Sequence, residues 1–204
     1  MYPSRKQEYS KARMNSQTFS TPGQDIQLVL SRMENSFYDP ATILLNFTVD
    51  YTGITAGISG TDASFLLGYA YSHFSRQVVR PISGQPIETI DNPSLLANAI
   101  LNMTMGNQEK QALSATFGFN AAEMHTNLGA QIDNSTQLKT QSYSLPLICC
   151  LNTSKLIPAF ISDIEIDLTL NNIANFISSP ASNAANSSKK LYILVFLQKV
   201  LQIL

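Results

Sequence analysis

The sequence predicts an all-β fold with short helices in the loops, arranged as an antiparallel β-sandwich of the jelly-roll type. Segments with alternating apolar and polar residues recur along the 204-residue chain, and turns rich in Pro, Gly and Asn separate them. An alternation with a period of two is typical of half-buried strands, because successive side chains of a strand point to opposite faces. Sequential hairpins with helical excursions in the loops favour two packed antiparallel sheets.

The clearest alternation lies in residues 143–171. Its second half places four apolar residues on one face and four polar residues on the other: Ile164, Ile166, Leu168 and Leu170 against Asp163, Glu165, Asp167 and Thr169. Its first half is an apolar run over residues 145–151 that contains Pro146, and a polar turn joins the two halves. We therefore expect two strands that meet at a corner of the sandwich.

The remaining elements follow from the same rules. Further strands are predicted over residues 23–30, 42–51, 77–82 and 87–90. The last two form a hairpin around a turn at residues 83–86. Residues 62–71 fit either a short helix or a strand. Loops are predicted over residues 53–60, 119–141 and 171–190.

The strongest helix signal begins at Pro93, which suits a first turn because its missing N–H costs nothing there. Asp91 or Asn92 can cap this helix. Apolar residues at helical spacing form a stripe that we expect to pack into the core: Leu95, Leu96, Ala99, Ile100 and Met103. A second helical piece over residues 108–116 ends before Gly118, a residue suited to a helix C-terminus.

The two ends of the chain differ from its body, which we assign to a single jelly-roll domain over residues 18–190. Residues 1–17 are polar and basic, with four cations and one acid: Arg5, Lys6, Lys11 and Arg13 against Glu8. They predict a flexible arm, either a disordered terminus or a segment in weak contact with nucleic acid, a membrane or a neighbouring subunit. Residues 191–204 form an apolar tail that must bury against the sheets or against another chain.

Composition limits the classes of protein that fit. Charged residues make up only 13% of the chain, about half the usual share of roughly a quarter, and the net charge is −1. This balance gives no global attraction to nucleic acid or membranes. A surface with little charge is typical of proteins that pack against copies of themselves, and also of secreted or adhesive β proteins.

The titratable residues do not form a recognisable site. Cys149 and Cys150 are adjacent in a predicted strand, where a bridge between them would be strained, so we expect both reduced and a reducing compartment. Only His73 and His125 could complete a zinc site, and no spacing fits one. Residues 1–14 lack the apolar core of a signal peptide, and no apolar run reaches the roughly 18–20 residues that span a bilayer.

Three carboxylates share one predicted strand face: Asp163, Glu165 and Asp167. Strand geometry puts neighbours about 6–7 Å apart, too far to share a cation unaided, so we expect a solvated or interface-facing strand edge. No nucleophile elbow, zinc-protease motif or phosphate loop occurs. The sequence thus predicts no catalytic, cofactor-binding or metal-binding residues, no enzyme activity and no small-molecule substrate.

Three phrases, taken in order, resemble the first jelly roll of double jelly-roll major capsid proteins. These proteins belong to double-stranded DNA viruses in the group of polinton-like viruses, virophages and nucleocytoplasmic large DNA viruses. The phrases are a hairpin motif with Gly84, Ile87, Glu88, Ile90 and Asn92, the run Leu145, Pro146 and Leu147 followed by Lys155, Leu156, Ile157 and Pro158, and the alternation over residues 164–170. The resemblance covers roughly residues 20–200 and departs in length, since the family carries two jelly rolls.

The resemblance implies a structural capsid protein that self-assembles into an icosahedral shell, with copies of itself, as a homotrimer if the protein is complete, and other capsid proteins as partners. It implies a virion location, with assembly in the host cytoplasm or nucleus. The difference in length leaves two alternatives: a truncated product, in which the tail of residues 191–204 begins a linker to a missing second jelly roll, or a single jelly-roll relative of the family. The alternative is a β-sandwich module that binds carbohydrate or a receptor, for which the dense aromatic cluster is the only feature: Tyr69, Tyr71 and Phe74.

Overall fold

The computed structural model describes residues 6–12, 21–50, 64–67, 69–82, 84–119, 128–132, 140–151, 155–178 and 192–203. The strands, in chain order, are β1 (Lys6–Ala12), β2 (Asp25–Leu30), β3 (Ser36–Tyr38), β4 (Leu44–Asp50), β5 (Ser64–Leu67), β6 (Phe74–Pro81), β7 (Glu88–Asp91), β8 (Leu128–Ile132), β9 (Thr140–Pro146), β10 (Ile157–Pro158), β11 (Ile164–Leu170), β12 (Ile177–Ser178) and β13 (Tyr192–Ile203). The α-helices are α1 (Pro93–Thr104), α2 (Asn107–Ala112), α3 (Ser114–Phe117) and α4 (Ile173–Phe176), and two 3₁₀ turns cover Pro40–Thr42 and Ala70–His73.

Two antiparallel sheets make up the body, which confirms the predicted all-β fold. The first sheet has six strands: β13 pairs with β4, β3 and β1, β4 pairs also with β9, and β3 pairs also with β10. The second sheet has four strands in the order β2-β11-β6-β7. A small third sheet has the order β12-β5-β8.

The pairing of the two large sheets is that of a jelly roll. Four neighbouring strands of the first sheet follow the order β1-β13-β4-β9, beside the order β2-β11-β6-β7 in the second. When the two orders are compared place by place, each pair of strands is close in the chain: β1 with β2, β13 with β11, β4 with β6, and β9 with β7. This arrangement of eight strands in two sheets is the jelly-roll pattern.

The two ends of the chain supply strands of this jelly roll. Lys6–Ala12, which the sequence placed in a flexible arm, forms β1 and pairs antiparallel with Leu197 to Ile203 of β13. The apolar tail forms β13 itself, with Tyr192 to Gln198 paired to β4 on the other edge. The first sheet thus extends beyond residues 18–190, because the tail pairs with β4 as one of its strands.

Inward-facing side chains of both sheets form one core. The alternation of β11 and β2 buries Ile166, Leu168, Ile26, Leu28 and Leu30, each 1% exposed or less. From the first sheet, Leu45, Phe47 and Val49 of β4 and Tyr143 and Leu145 of β9 enter the same core. Burial of one such side chain contributes roughly 1.5–3 kcal/mol, so alternation along these strands holds the two sheets together.

The predicted strand over residues 145–151 ends early. β9 stops at Pro146, since proline has no N–H with which to continue the ladder. The next residues are held by buried side chains instead: the Tyr71 hydroxyl donates to Pro146 O (2.6 Å) and accepts from Ile148 N (2.9 Å). Gln77 Nε2 donates to Ile148 O at 2.9 Å. Cys149 and Cys150 therefore lie beyond the strand, and neither forms a disulfide.

Several predicted loops contain short elements. β8 lies within residues 119–141, and α4 and β12 lie within residues 171–190. Residues 62–71, which the sequence assigned to either a strand or a short helix, contain the strand β5 and then the start of a 3₁₀ turn at Ala70. The predicted loop at 53–60, His125 and residues 179–190 lie outside the described residues.

Helix boundaries match the sequence closely. Asn92 precedes Pro93 as the residue before α1, but its side chain makes no capping hydrogen bond. The second helical piece divides into α2 and α3, and Gly118 ends it with φ +75°, a conformation that L side chains rarely adopt. A Cβ at Gly118 would also lie 3.1 Å from Tyr143 Cε1.

Candidate interaction surfaces

The apolar stripe of α1 faces solvent, so the prediction that it packs into the core is wrong. Leu95 and Met103 are 71% and 86% exposed, and Leu96 and Ile100 are 38% and 37% exposed. We call these four residues the helix patch. The helix buries a different and smaller face, made of Pro93, Ala97 and Leu101.

Polar contacts fix this orientation of α1. Asn102 Oδ1 accepts hydrogen bonds from the Tyr69 hydroxyl (2.7 Å) and from Lys110 Nζ (2.6 Å). Lys110 is 7% exposed and belongs to α2, so its ammonium joins α2 to α1 from within the structure. The side of α1 that carries Asn102 and Leu101 is thereby held against the body, which turns the helix patch outward.

The helix patch contains no charge. None of the 12 residues of α1 is acidic or basic, whereas the solvent face of a surface helix normally carries charged residues. Contiguous exposed apolar surface of this kind is typical of protein–protein contacts. The helix patch is therefore the first candidate interaction surface.

A second apolar surface lies at the turn between β6 and β7. Ile82 and Ile87 flank this turn and are 48% and 59% exposed, while Phe160 and Ile161 in the loop before β11 are 45% and 68% exposed. The hydrogen bond from Ile82 N to Asp163 O (3.0 Å) brings the two segments side by side. We call these four residues the hairpin patch. Two isoleucines beside a turn are a signal of this surface in the sequence, because turns usually carry polar residues.

The two patches lie at opposite ends of the second sheet. The hairpin patch is at the end where Pro81 pairs with Ile164, and α1 begins after Asp91, which pairs with Arg76 near the other end of β6. The eight residues of β6 span about 23 Å between these ends.

The outer face of the second sheet carries charged side chains that pair with one another. β11, which holds the predicted acidic face, is a central strand between β2 and β6. Arg80 of β6 reaches both acids of β11, with Nε 2.9 Å from Glu165 Oε2 and Nη2 3.0 Å from Asp167 Oδ2. The Glu165 side chain is only 9% exposed. Partial burial raises the pKa of Asp167, against the lowering effect of the Arg80 guanidinium.

His73 lies in the core, with no exposed surface. Its ring packs against Phe176, Phe47 and Tyr143 at centroid distances of 4.7, 5.5 and 5.6 Å. Nδ1 donates to Ala70 O at 2.7 Å, which sets the neutral tautomer. Burial lowers the pKa of His73 to about 4, and the hydrogen bond to Ala70 only partly opposes that shift.

The aromatic cluster considered for ligand binding is buried. Tyr69, Tyr71 and Phe74 are 5%, 0% and 1% exposed. Burial raises the pKa of Tyr71, whose hydroxyl is already used by the backbone of residues 146–148. These rings are therefore structural and present no platform to a sugar.

A shallow groove of about 340 Å³ lies on the first sheet beside α3. Its polar lining comes mainly from β4 and β9: Asn46, Thr48, Gln141, Ser142 and Ser144. Thr48 Oγ1 and Ser142 Oγ are 2.9 Å apart and hydrogen-bond to each other. The groove therefore offers hydroxyl and amide groups that are already partly satisfied across the strands.

Among the described residues, no group of three or more His, Cys, Asp or Glu side chains could hold a metal ion. No helix in that part of the chain is long and apolar enough to cross a membrane. Burial and the neighbouring Glu88 raise the pKa of the Cys150 thiol to about 11, which disfavours the reactive thiolate.

Comparisons with known proteins give distant structural similarity. No protein-family model and no curated protein sequence matches the chain. A crystal structure of the infectious bursal disease virus VP2 subviral particle aligns over 98% of this chain and 33% of its own, with 9% identity and a TM-score of 0.28. The structure of the Gx strain of that virus aligns over 98% and 30%, with 8% identity and a TM-score of 0.24. The chain spans about a third of those proteins, and at these TM-scores neither alignment supports an inference about its function.

The buried histidine makes stability depend on pH. The pKa of His73 is about 4 in the folded protein and 6.5 ordinarily, so the unfolded chain takes up the proton first as pH falls. The stability that the neutral, buried His73 contributes is complete above pH 6.5. It is lost as the pH falls toward 4, at about 1.4 kcal/mol of unfolding free energy per pH unit. Urea unfolding of the native protein and His73→Phe between pH 7 and 5 measures it. The variant should lose this slope; equal slopes in both proteins would contradict the assignment.

Loss of Arg80 should lower the free energy of unfolding far more than loss of Arg76, an arginine on the same face of β6. Arg80→Met leaves two partly buried carboxylates without their cation and should cost about 1–3 kcal/mol of unfolding free energy. Arg76→Met is the matched control, because the Arg76–Asp91 pair is 3.4 Å apart and exposed, and its loss should cost under about 1 kcal/mol. Adding Glu165→Gln and Asp167→Asn to Arg80→Met should recover part of the loss. Equal costs for both arginines would refute this role.

Proposed function

We propose that this protein is a structural subunit of a viral shell, works without enzymatic chemistry, and assembles through contacts between copies of itself. The observation that carries the proposal is the helix patch, an uncharged apolar surface held outward on a jelly roll. Burial of such a surface in a subunit contact removes apolar area from water, the main favourable contribution to most protein association.

The fold is compatible with this role and does not by itself select it. Jelly rolls occur in viral capsid proteins, in lectin domains and in cupins, so the function has to come from the surfaces. Here Arg80 pairs with both Glu165 and Asp167 on the charged face, while both apolar patches are uncovered. Surfaces of this kind favour a protein that packs against its neighbours.

The finer proposal is a subunit of the double jelly-roll major capsid group of double-stranded DNA viruses. The motifs behind that resemblance fall at successive structural positions: the end of β9, the segment that enters β10, and β11. The partners would be copies of the chain, as a homotrimer if it is complete, and other capsid proteins. The proposed location is the virion, assembled in the host cytoplasm or nucleus.

The predicted contacts with nucleic acid, a membrane, carbohydrate or a receptor have less support than self-assembly. The basic residues Lys6 and Lys11 lie in β1, and their weak contact with nucleic acid or membrane stays a prediction. The carbohydrate- or receptor-binding alternative depended on Tyr69, Tyr71 and Phe74. Because these rings are buried, no observation favours that alternative.

Self-association of the purified chain tests the proposal. Sedimentation velocity from micromolar to near-millimolar protein should show mass rising with concentration, and electron microscopy should show defined assemblies. Sulfate should strengthen assembly, because it favours burial of apolar surface, whereas contacts made by a charged arm would weaken as salt screens them. A chain that stays monomeric at every concentration, with sulfate present, would refute the proposal.

A further inference from the structure

The helix patch and the hairpin patch match each other in size and chemistry. Each consists of four large apolar residues, and each exposes the equivalent of just over two complete residues of that kind. Neither includes a charged residue. Both are clamped in place, the helix patch by the contacts of Asn102 and the hairpin patch by the bond from Ile82 N to Asp163 O.

We infer that the helix patch of one copy docks on the hairpin patch of a second copy, in a head-to-tail contact. This inference rests on the proposed self-assembly and specifies its geometry. One contact of this type covers both patches of every copy. Symmetric contacts would instead need two interfaces, helix patch to helix patch and hairpin patch to hairpin patch. Because the patches lie at opposite ends of the second sheet, the contact repeats from copy to copy and closes into a ring if the rotation permits.

The size of the surfaces fits a second copy as the occupant. A stable interface covers about 800 Å² on each partner, with an apolar centre and a polar rim. Four large side chains on each side supply such a centre. Polar residues border both patches and can form the rim: Asn98 is half-buried beside the helix patch, and Gln85 and Thr89 are exposed beside the hairpin patch.

The test uses full-length variants that each lose one patch. The helix variant is Leu95→Glu with Met103→Glu, and the hairpin variant is Ile87→Glu with Ile161→Glu. All four residues are well exposed, so both variants should fold, which circular dichroism and thermal unfolding check. The charge-matched control for both variants is Gln108→Glu with Gln111→Glu, at exposed positions outside the patches.

Sedimentation velocity of each variant alone and of their equimolar mixture decides between the geometries. Each variant alone should associate at least tenfold more weakly than the native chain, and the control should associate as the native chain does. The mixture should form a one-to-one heterodimer and nothing larger, because each variant still offers the patch that the other lacks.

Three outcomes would overturn the inference. If the hairpin variant alone still forms dimers that the helix variant cannot form, the helix patch pairs with itself. If both variants associate like the native chain, assembly uses other surfaces, and the proposed function stands while this geometry fails. If the native chain never associates, the proposed function fails and the inference fails with it.

Discussion

The pairing of β13 with β4 is the interaction on which the rest of the structure depends. β13 lies between β4 and β1, so the first sheet is continuous only when the end of the chain has joined its beginning. β4 contributes Leu45, Phe47 and Val49 to the core, and its edge would be open without β13. The pairing also places the most apolar segment of the sequence in the sheet as a strand. Among the described residues, eight of the nine exposed large apolar side chains belong to the helix patch and the hairpin patch.

Several buried and partly buried polar groups are paired within the chain, away from the two apolar patches. Arg80 satisfies Glu165 and Asp167 on the outer face of the second sheet. Tyr71 and Gln77 satisfy backbone groups where β9 ends, and His73 is held neutral among aromatic rings. These contacts act within one copy. In the proposed assembly, contact between copies comes from apolar burial, which is not directional, and its specificity would depend on the shape and position of the two patches.

Alternation along the sequence predicted the half-buried strands well, and other elements less well for physical reasons. β2, β4 and β11 each have one face in the core, so their residues alternate as expected. β13 is almost uniformly apolar, and such a run does not distinguish a buried strand from a helix or a linker. β1 is polar, and only its pairing with β13 makes it a strand. For α1, the periodicity located the helix but could not show that Pro93, Ala97 and Leu101 form the buried face.

Intermolecular cross-linking is the most direct test of the claim that copies meet head to tail. One chain carries Met103→Cys and a second, isotopically labelled chain carries Ile161→Cys, both in a Cys149→Ser and Cys150→Ser background. After mixing and mild oxidation, the account predicts disulfide-linked pairs that contain one chain of each kind, with little product from either chain alone. Pairs formed only between two Met103→Cys chains, with no mixed product, would contradict it.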